Sequence, residues 1–463
     1  MSSLKTVFLV LLSLGIVSCA HLGEIRVSRL LPANQPCTGF LHGLDRIIAD
    51  SGVRDASTTV VGSFPYLRAN RFQEALWEHA ARPEEREQWV DGMRQLFRQS
   101  IQKEIRNLPA GVYSIPASSD SVPMTKEALL DRALSCSDQL YEAHRRIPGY
   151  HDLVRSRVHV PDEYSYVMRT LGMHPIVALP VTAVTDRVRK KVRKTFEMPI
   201  ESLPVSGTLT AFRPAGWERR PETAVRDVLS RAAENPLRIP RLTPEEQREL
   251  AHDFAPVLFV DQAGSYDRPG AMVARKQGFE VDSDKPALYY YVSHGFKRSQ
   301  PVVQVNYVLW FPERAGKKAP WIEHGHLDGL TIRVTLDQEG RPFMMDVMNN
   351  CGCYHFFVPE RGAVARIKPR RFKLDPFVPQ WLPSVGGLER FGLRVNSGWY
   401  QVERVMRVDE ASADGQTYQL LPYEQLESLE GANGLHVSLF SERGIARGTR
   451  RIEPLIFFSM GVP

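Results

Sequence analysis

The spacing of apolar residues changes character once along the chain, near Ala255, and no fold of a single class accommodates both halves. Before that point they recur every three or four positions. Trp89, Met93, Leu96, Phe97, Ile101 and Ile105 form one face of a helix opened by Pro83-Glu84-Glu85, with proline at the first helical position and acid in the first turn. Thr125 begins a second helix, with Leu129, Ala133, Leu140 and Tyr141 on its apolar side and Pro148-Gly149 just beyond its end. Thr243-Pro244-Glu245-Glu246 has the order of a capping box and marks a third, shorter one. After Ala255, runs such as 257–260, 287–293 and 302–311 are rich in Val, Tyr and Phe and are bounded by turn residues, and 398–408, 416–421 and 436–440 continue the pattern. The expected fold class is therefore α+β. A mainly helical region (65–200) and a linking segment with short helices (201–254) precede a β-rich, largely antiparallel domain (255–463). Residues 19–64 read as a tether and irregular segment.

The amino end carries a different signal. Lys5 supplies a positive charge, Thr6 to Val17 form a short apolar run, and small residues lead into Cys19. The run falls short of the ~20 apolar residues that span a bilayer. Ile16-Val17-Ser18-Cys19 resembles the lipobox of bacterial lipoproteins. The resemblance covers only this leader, and the body resembles no family with an activity to assign. It implies that residues 1–18 are a signal peptide, that Cys19 is acylated, and that the partner is membrane lipid. Ala20, where aspartate marks inner-membrane retention in that family, implies the outer membrane, on its periplasmic side.

A length of 463 residues with 43% apolar and 24% charged side chains is that of folded domains rather than a disordered chain. A net charge of +6 is too small for its length to indicate a nucleic-acid binder. The charge is nevertheless concentrated. In a helix expected over 175–197, kinked or delayed by Pro180, Val181, Val184, Val188 and Val192 make a narrow stripe. Arg187, Arg189, Lys190, Lys191, Arg193 and Lys194 crowd the remainder. The basic part, 181–197, is a candidate for contact with an anionic surface; the alternative is a solvated face over a valine stripe on the core. With Cys19 lipidated, four cysteines remain for an oxidising compartment. Cys37 with Cys136 is the favoured disulfide, because it leaves the close pair Cys351 and Cys353 together.

The stretch 321–359 holds the one constellation suited to chemistry, His324-Gly-His326-Leu-Asp328 and Cys351-Gly-Cys353-Tyr-His355. A hairpin turning at Asp337-Gln338-Glu339-Gly340 would set His324 opposite Cys353, His326 opposite Cys351 and Asp328 opposite Asn349. Leu330, Ile332, Val334, Leu336, Phe343, Met345 and Val347 would then form the core face. Opposed side chains about 5 Å apart can converge on one ion. The leading expectation is a transition-metal site of His324, His326, Cys351 and Cys353, with His355 as a further ligand and Asp328 as base or orienting group. Zinc is favoured over copper or iron, and metal-assisted hydrolysis is the expected chemistry if the protein is an enzyme. A cysteine-dependent enzyme or redox protein, with a histidine stabilising thiolate, is the first alternative. A non-catalytic envelope scaffold or binding module is the second. Tyr289–Tyr291 with His294, and Trp399-Tyr400, read chiefly as core. The chain has no nucleophile elbow, phosphate loop, dinucleotide fingerprint or zinc-helix motif.

Overall fold

A computed structural model describes residues 35–115, 122–161, 166–363, 375–431 and 434–449. The leader and Cys19 lie outside them. The chain divides into two compact units, Met1–Pro161 with Phe440–Ile445, and Asp162–Leu439 with Ala446–Pro463. Among the described residues no helix is long and apolar enough to cross a membrane.

The first unit opens with helix α1 (Gln35–Asp50), in a stretch expected to be irregular. Gly39 and Gly43 weaken its local propensity, but Cys37, Phe40, Leu41, Leu44 and Ile48 fall on one buried stripe, and that burial decides the outcome. A short hairpin of β1 (Thr59–Val61) and β2 (Phe64–Ala69) follows. Helices α2 (Arg71–Leu76), α3 (Pro83–Asn107), α4 (Lys126–His144) and α5 (Tyr150–Arg155) complete the unit. α3 buries Trp89, Met93, Phe97, Ile101 and Ile105, and α4 buries Leu129, Ala133, Leu140 and Tyr141. Thr125 caps α4 by accepting from the Ala128 N–H. A disulfide between Cys37 and Cys136 ties α1 to α4. Among the buried polar groups, Arg68 meets Glu104 at 3.0 Å, and the Tyr66 hydroxyl lies 3.0 Å from both His144 and Tyr150.

The second unit is helical at its start and is then built on one sheet. Helix α6 (Tyr166–Leu171) leads through a left-handed Met173 into α7 (His174–Glu197), which runs through Pro180 rather than starting after it. Two helices, α8 (Glu222–Ala232) and α9 (Pro244–Asp253), contribute to the core. The capping box on α9 is present in both directions: Thr243 N–H to Glu246 (2.9 Å) and Glu246 N–H to Thr243 Oγ1 (3.2 Å).

The sheet takes in β3 (Thr208–Pro214), β4 (Val257–Gln262), β7 (Ala287–Lys297), β8 (Gln300–Arg314), β9 (Gly325–Leu336), β10 (Pro342–Asn349), β11 (Phe356–Pro359), β12 (Arg390–Val395), β13 (Val402–Val408) and β14 (Gln416–Pro422). Their order is β11-β10-β9-β8-β7-β14-β3-β4-β12-β13. β14 runs parallel to both its neighbours and β12 parallel to β4, and the other pairings are antiparallel. The protein is thus α+β. β3 comes from the stretch read as linker, and it sits inside the sheet because β4 and β14 pair with its two edges. A second small hairpin, β5 (Ala271–Arg275) with β6 (Gly278–Asp282), stands apart from this sheet.

Leu330, Ile332, Val334, Leu336, Met345 and Val347 are all buried in the unit's main core, the face expected from their alternation. The register differs. Met345 pairs with Val334, Val347 with Ile332 and Asn349 with Leu330, two residues away from the expected pairing, because the turn closes Asp337 on Arg341 rather than Gly340 and the ladder slips once more between Pro342 and Met344. A shift of two keeps every side chain on its face, so the core survives while the partners change.

Candidate functional site

The register shift and a second turn together undo the expected metal rectangle. β10 ends at Asn349, and the chain reverses at once: the Gly352 N–H donates to the Asn349 carbonyl (2.7 Å), the Asn349 N–H donates to the Cys353 carbonyl (3.0 Å), and β11 returns alongside β10. Gly352 has a φ of 80°, the left-handed region in which glycine carries no side-chain penalty. Asn350 fastens this turn to the sheet, donating to the Leu309 carbonyl (3.0 Å) and accepting from Thr331 (2.9 Å). Its amide fits only because Gly329 has no side chain, as a Cβ there would lie 2.3 Å from it. Nothing lies within 4 Å of a Cβ built at Gly352, so Gly352→Ala should cost backbone strain alone, about 1 kcal/mol in urea unfolding.

Cys351, Cys353 and His355 are therefore turn residues, not a continuation of β10. His324 is exposed and donates to the Ala319 carbonyl (3.2 Å), and His326 is exposed and donates to the Phe279 carbonyl (2.8 Å). His355 donates to Asp346 (2.9 Å). Asp328 is buried and bound to the Arg314 guanidinium. No group of three His, Cys, Asp or Glu side chains among the described residues is arranged to hold a metal ion.

The turn instead pairs the two thiols. Both cysteines are half-buried and unbridged. The Cys353 thiol donates to Cys351, and this bond is the main cause holding the Cys351 thiol below its ordinary value. Burial and the Asp328 carboxylate oppose it, while the Arg314 charge assists. Arg314, at the end of β8, has no exposed side-chain surface. Burial acts against its charge, but Asp328, Cys351 and Glu323 outweigh that and keep it a cation. Glu323 accepts from Arg314, from the Tyr354 hydroxyl and from Trp399 Nε1 (3.1 Å), which ties the turn to a buried charge network. Sequence reasoning missed Arg314 and Glu323. The available signal was a lone arginine ending the long apolar run 302–314.

Cys353, Tyr354 and His355 form part of the wall of a cavity of about 510 Å³. Its apolar lining comes from Val188 and Val192 of α7, Leu330 and Val347 of the sheet, and Phe356 and Phe377. The tyrosine and histidine set of the neighbouring strand is structural: Tyr289 and Tyr290 are buried, and His294 donates to the Pro240 carbonyl (2.8 Å). Tyr400 is buried and stacks on Phe311. No family model, curated protein or solved structure matches the chain, so its residues alone carry the functional reading.

Proposed function

We propose that this chain is a lipid-anchored bacterial envelope protein, facing the periplasm from the outer membrane, whose second unit exchanges disulfides through Cys351 and Cys353. The observation that carries the reading is a pair of unbridged, half-buried thiols either side of one glycine in a tight turn, with Cys353 on the wall of a cavity of about 510 Å³. The anchor rests on the leader ending at Cys19.

The chemistry follows from which sulfur faces the cavity. Cys353 lines it, so its sulfur is the one a substrate disulfide reaches; its proton passes to the Cys351 thiolate as it bonds to the entering sulfur of that disulfide. The other substrate sulfur leaves and takes up a proton. Cys351 then attacks the mixed disulfide at the Cys353 sulfur, releasing the second substrate thiol and leaving a Cys351–Cys353 disulfide. Two electrons pass from the dithiol to the substrate, and the reverse sequence oxidises a substrate dithiol. The His355 imidazole, oriented by Asp346, stands on the same wall to exchange the proton. The apolar lining favours a disulfide flanked by apolar groups.

The test uses unacylated chain carrying Cys19→Ser, equilibrated with graded ratios of reduced and oxidised glutathione, quenched, alkylated and weighed peptide by peptide. The expected result is reversible loss of two hydrogens from the peptide holding both cysteines, with Cys351→Ser trapping glutathione on Cys353. Cysteines that remain reduced and unmodified throughout would overturn the reading. So would near-stoichiometric zinc, copper or iron lost on Cys353→Ala, which would return the site to a metal centre.

A further inference from the structure

We infer that α6 and the first half of α7 form a docking element for an anionic lipid bilayer, separate from the lipid anchor. The observation is a concentration of apolar surface. Val167, Leu171, Met173, Ile176, Leu179 and Val184 are each between 55% and 74% exposed. They are six of the fifteen exposed large apolar side chains of the described residues, gathered into one short stretch. Single exposed apolar residues need no explanation, but a contiguous group marks a surface that meets something less polar than water.

The two halves of α7 differ in what they touch. The second half is docked: Phe196 belongs to the core, Val192 packs against it, Arg189 donates to the Asp375 carbonyl (2.8 Å) and Arg193 to the Val378 carbonyl (3.4 Å). The first half leaves Ile176 and Leu179 to solvent. A helix of 24 residues is about 36 Å long, so its first half is a substantial arm.

Charge identifies the occupant. From Val167 to Thr185 there is no acidic residue, and the next turns carry Arg187, Arg189, Lys190, Lys191, Arg193 and Lys194 against Asp186 and Glu197. Among the described residues these six form no salt bridge; Arg189 and Arg193 meet carbonyls and the Phe377 ring, and Lys191 the Trp399 ring. A net basic segment next to an exposed apolar one matches lipid headgroups above acyl chains, the pattern of an interfacial helix. The apolar arm is too short to span, which agrees with docking in the plane of the interface. The basic segment 181–197 thus supplies only part of the contact, and the apolar part precedes it.

The test is co-sedimentation of the unacylated Cys19→Ser chain with vesicles of phosphatidylglycerol and phosphatidylethanolamine, and with vesicles of phosphatidylcholine alone, at moderate salt. At least tenfold stronger binding to the anionic vesicles is expected. Ile176→Ser with Leu179→Ser, and separately Lys190→Glu with Lys194→Glu, should each reduce it about tenfold without changing the thermal melt, since all four side chains are exposed. Cys353→Ser should bind as the parent does, so failure of the thiol reading leaves this result untouched. Absence of binding to anionic vesicles, or binding that survives both double changes, overturns the inference. So does a concentration-dependent dimer abolished by Ile176→Ser with Leu179→Ser, which would assign the face to a second copy.

Discussion

Arg314→Met will destabilise the second unit by about 3–5 kcal/mol, because it leaves the buried carboxylate of Asp328 without its cation. Asp328→Asn will destabilise it by a similar mechanism from the other side, since Arg314 has no exposed surface through which to solvate its charge. The two changes part company at the thiol. The Arg314 charge favours the Cys351 thiolate and the Asp328 carboxylate disfavours it. Near neutral pH, Arg314→Met should therefore slow alkylation of Cys351, and Asp328→Asn should accelerate it. Urea unfolding gives the first quantity, and timed iodoacetamide labelling with peptide mass analysis gives the second. Labelling rates that move in the same direction would mean that Arg314 and Asp328 support the fold without tuning the sulfur. Replacing both partners by apolar residues should recover much of the lost stability, as removing a buried pair whole costs less than orphaning half of it.

Removing the disulfide is the second large effect. Cys37 and Cys136 are 99 residues apart, and a cross-link closing a loop of that size stabilises the native state by about 4–5 kcal/mol through the unfolded chain. Cys37→Ala with Cys136→Ala should lower the unfolding midpoint of the first unit accordingly. Reductant should do the same to the parent and nothing to that unit of the double variant. If the midpoint barely moves, the unfolded chain retains enough structure that the cross-link constrains little.

Most of the local architecture was legible. The spacing along α3, the Thr125 cap and the Thr243–Glu246 box all depend on residues within a turn or two of one another, and so does the inward face of β9 and β10. Helix α1 was not legible, since two glycines disguise a stripe whose burial depends on distant residues. Nor was the place of β3, whose neighbours come from 257–262 and 416–422. At the site, the sequence brought Cys351 and Cys353 together, but the side chains around them differ from those expected. A slip between Pro342 and Met344 and a reversal at Asn350-Cys351-Gly352 moved both histidines of β9's approach away from the sulfurs. The observed neighbours are Arg314, which comes from β8 outside 321–359, and Glu323, which comes from a short 3-10 turn and reaches the site through Tyr354 rather than by strand alternation.

The membership of Phe440–Ile445 in the first unit bears on how the molecule is made. Synthesis runs from the amino end, so this unit emerges early but lacks its last segment until the intervening residues 162–439 have followed. Its helices and its Cys37–Cys136 bond can form beforehand, yet final closure must wait for the whole sheet domain to be translated. Neither truncation after residue 161 nor a protease cut there would yield the first unit intact. The late segment makes completion of the earliest-made part a report that the latest-made part has arrived.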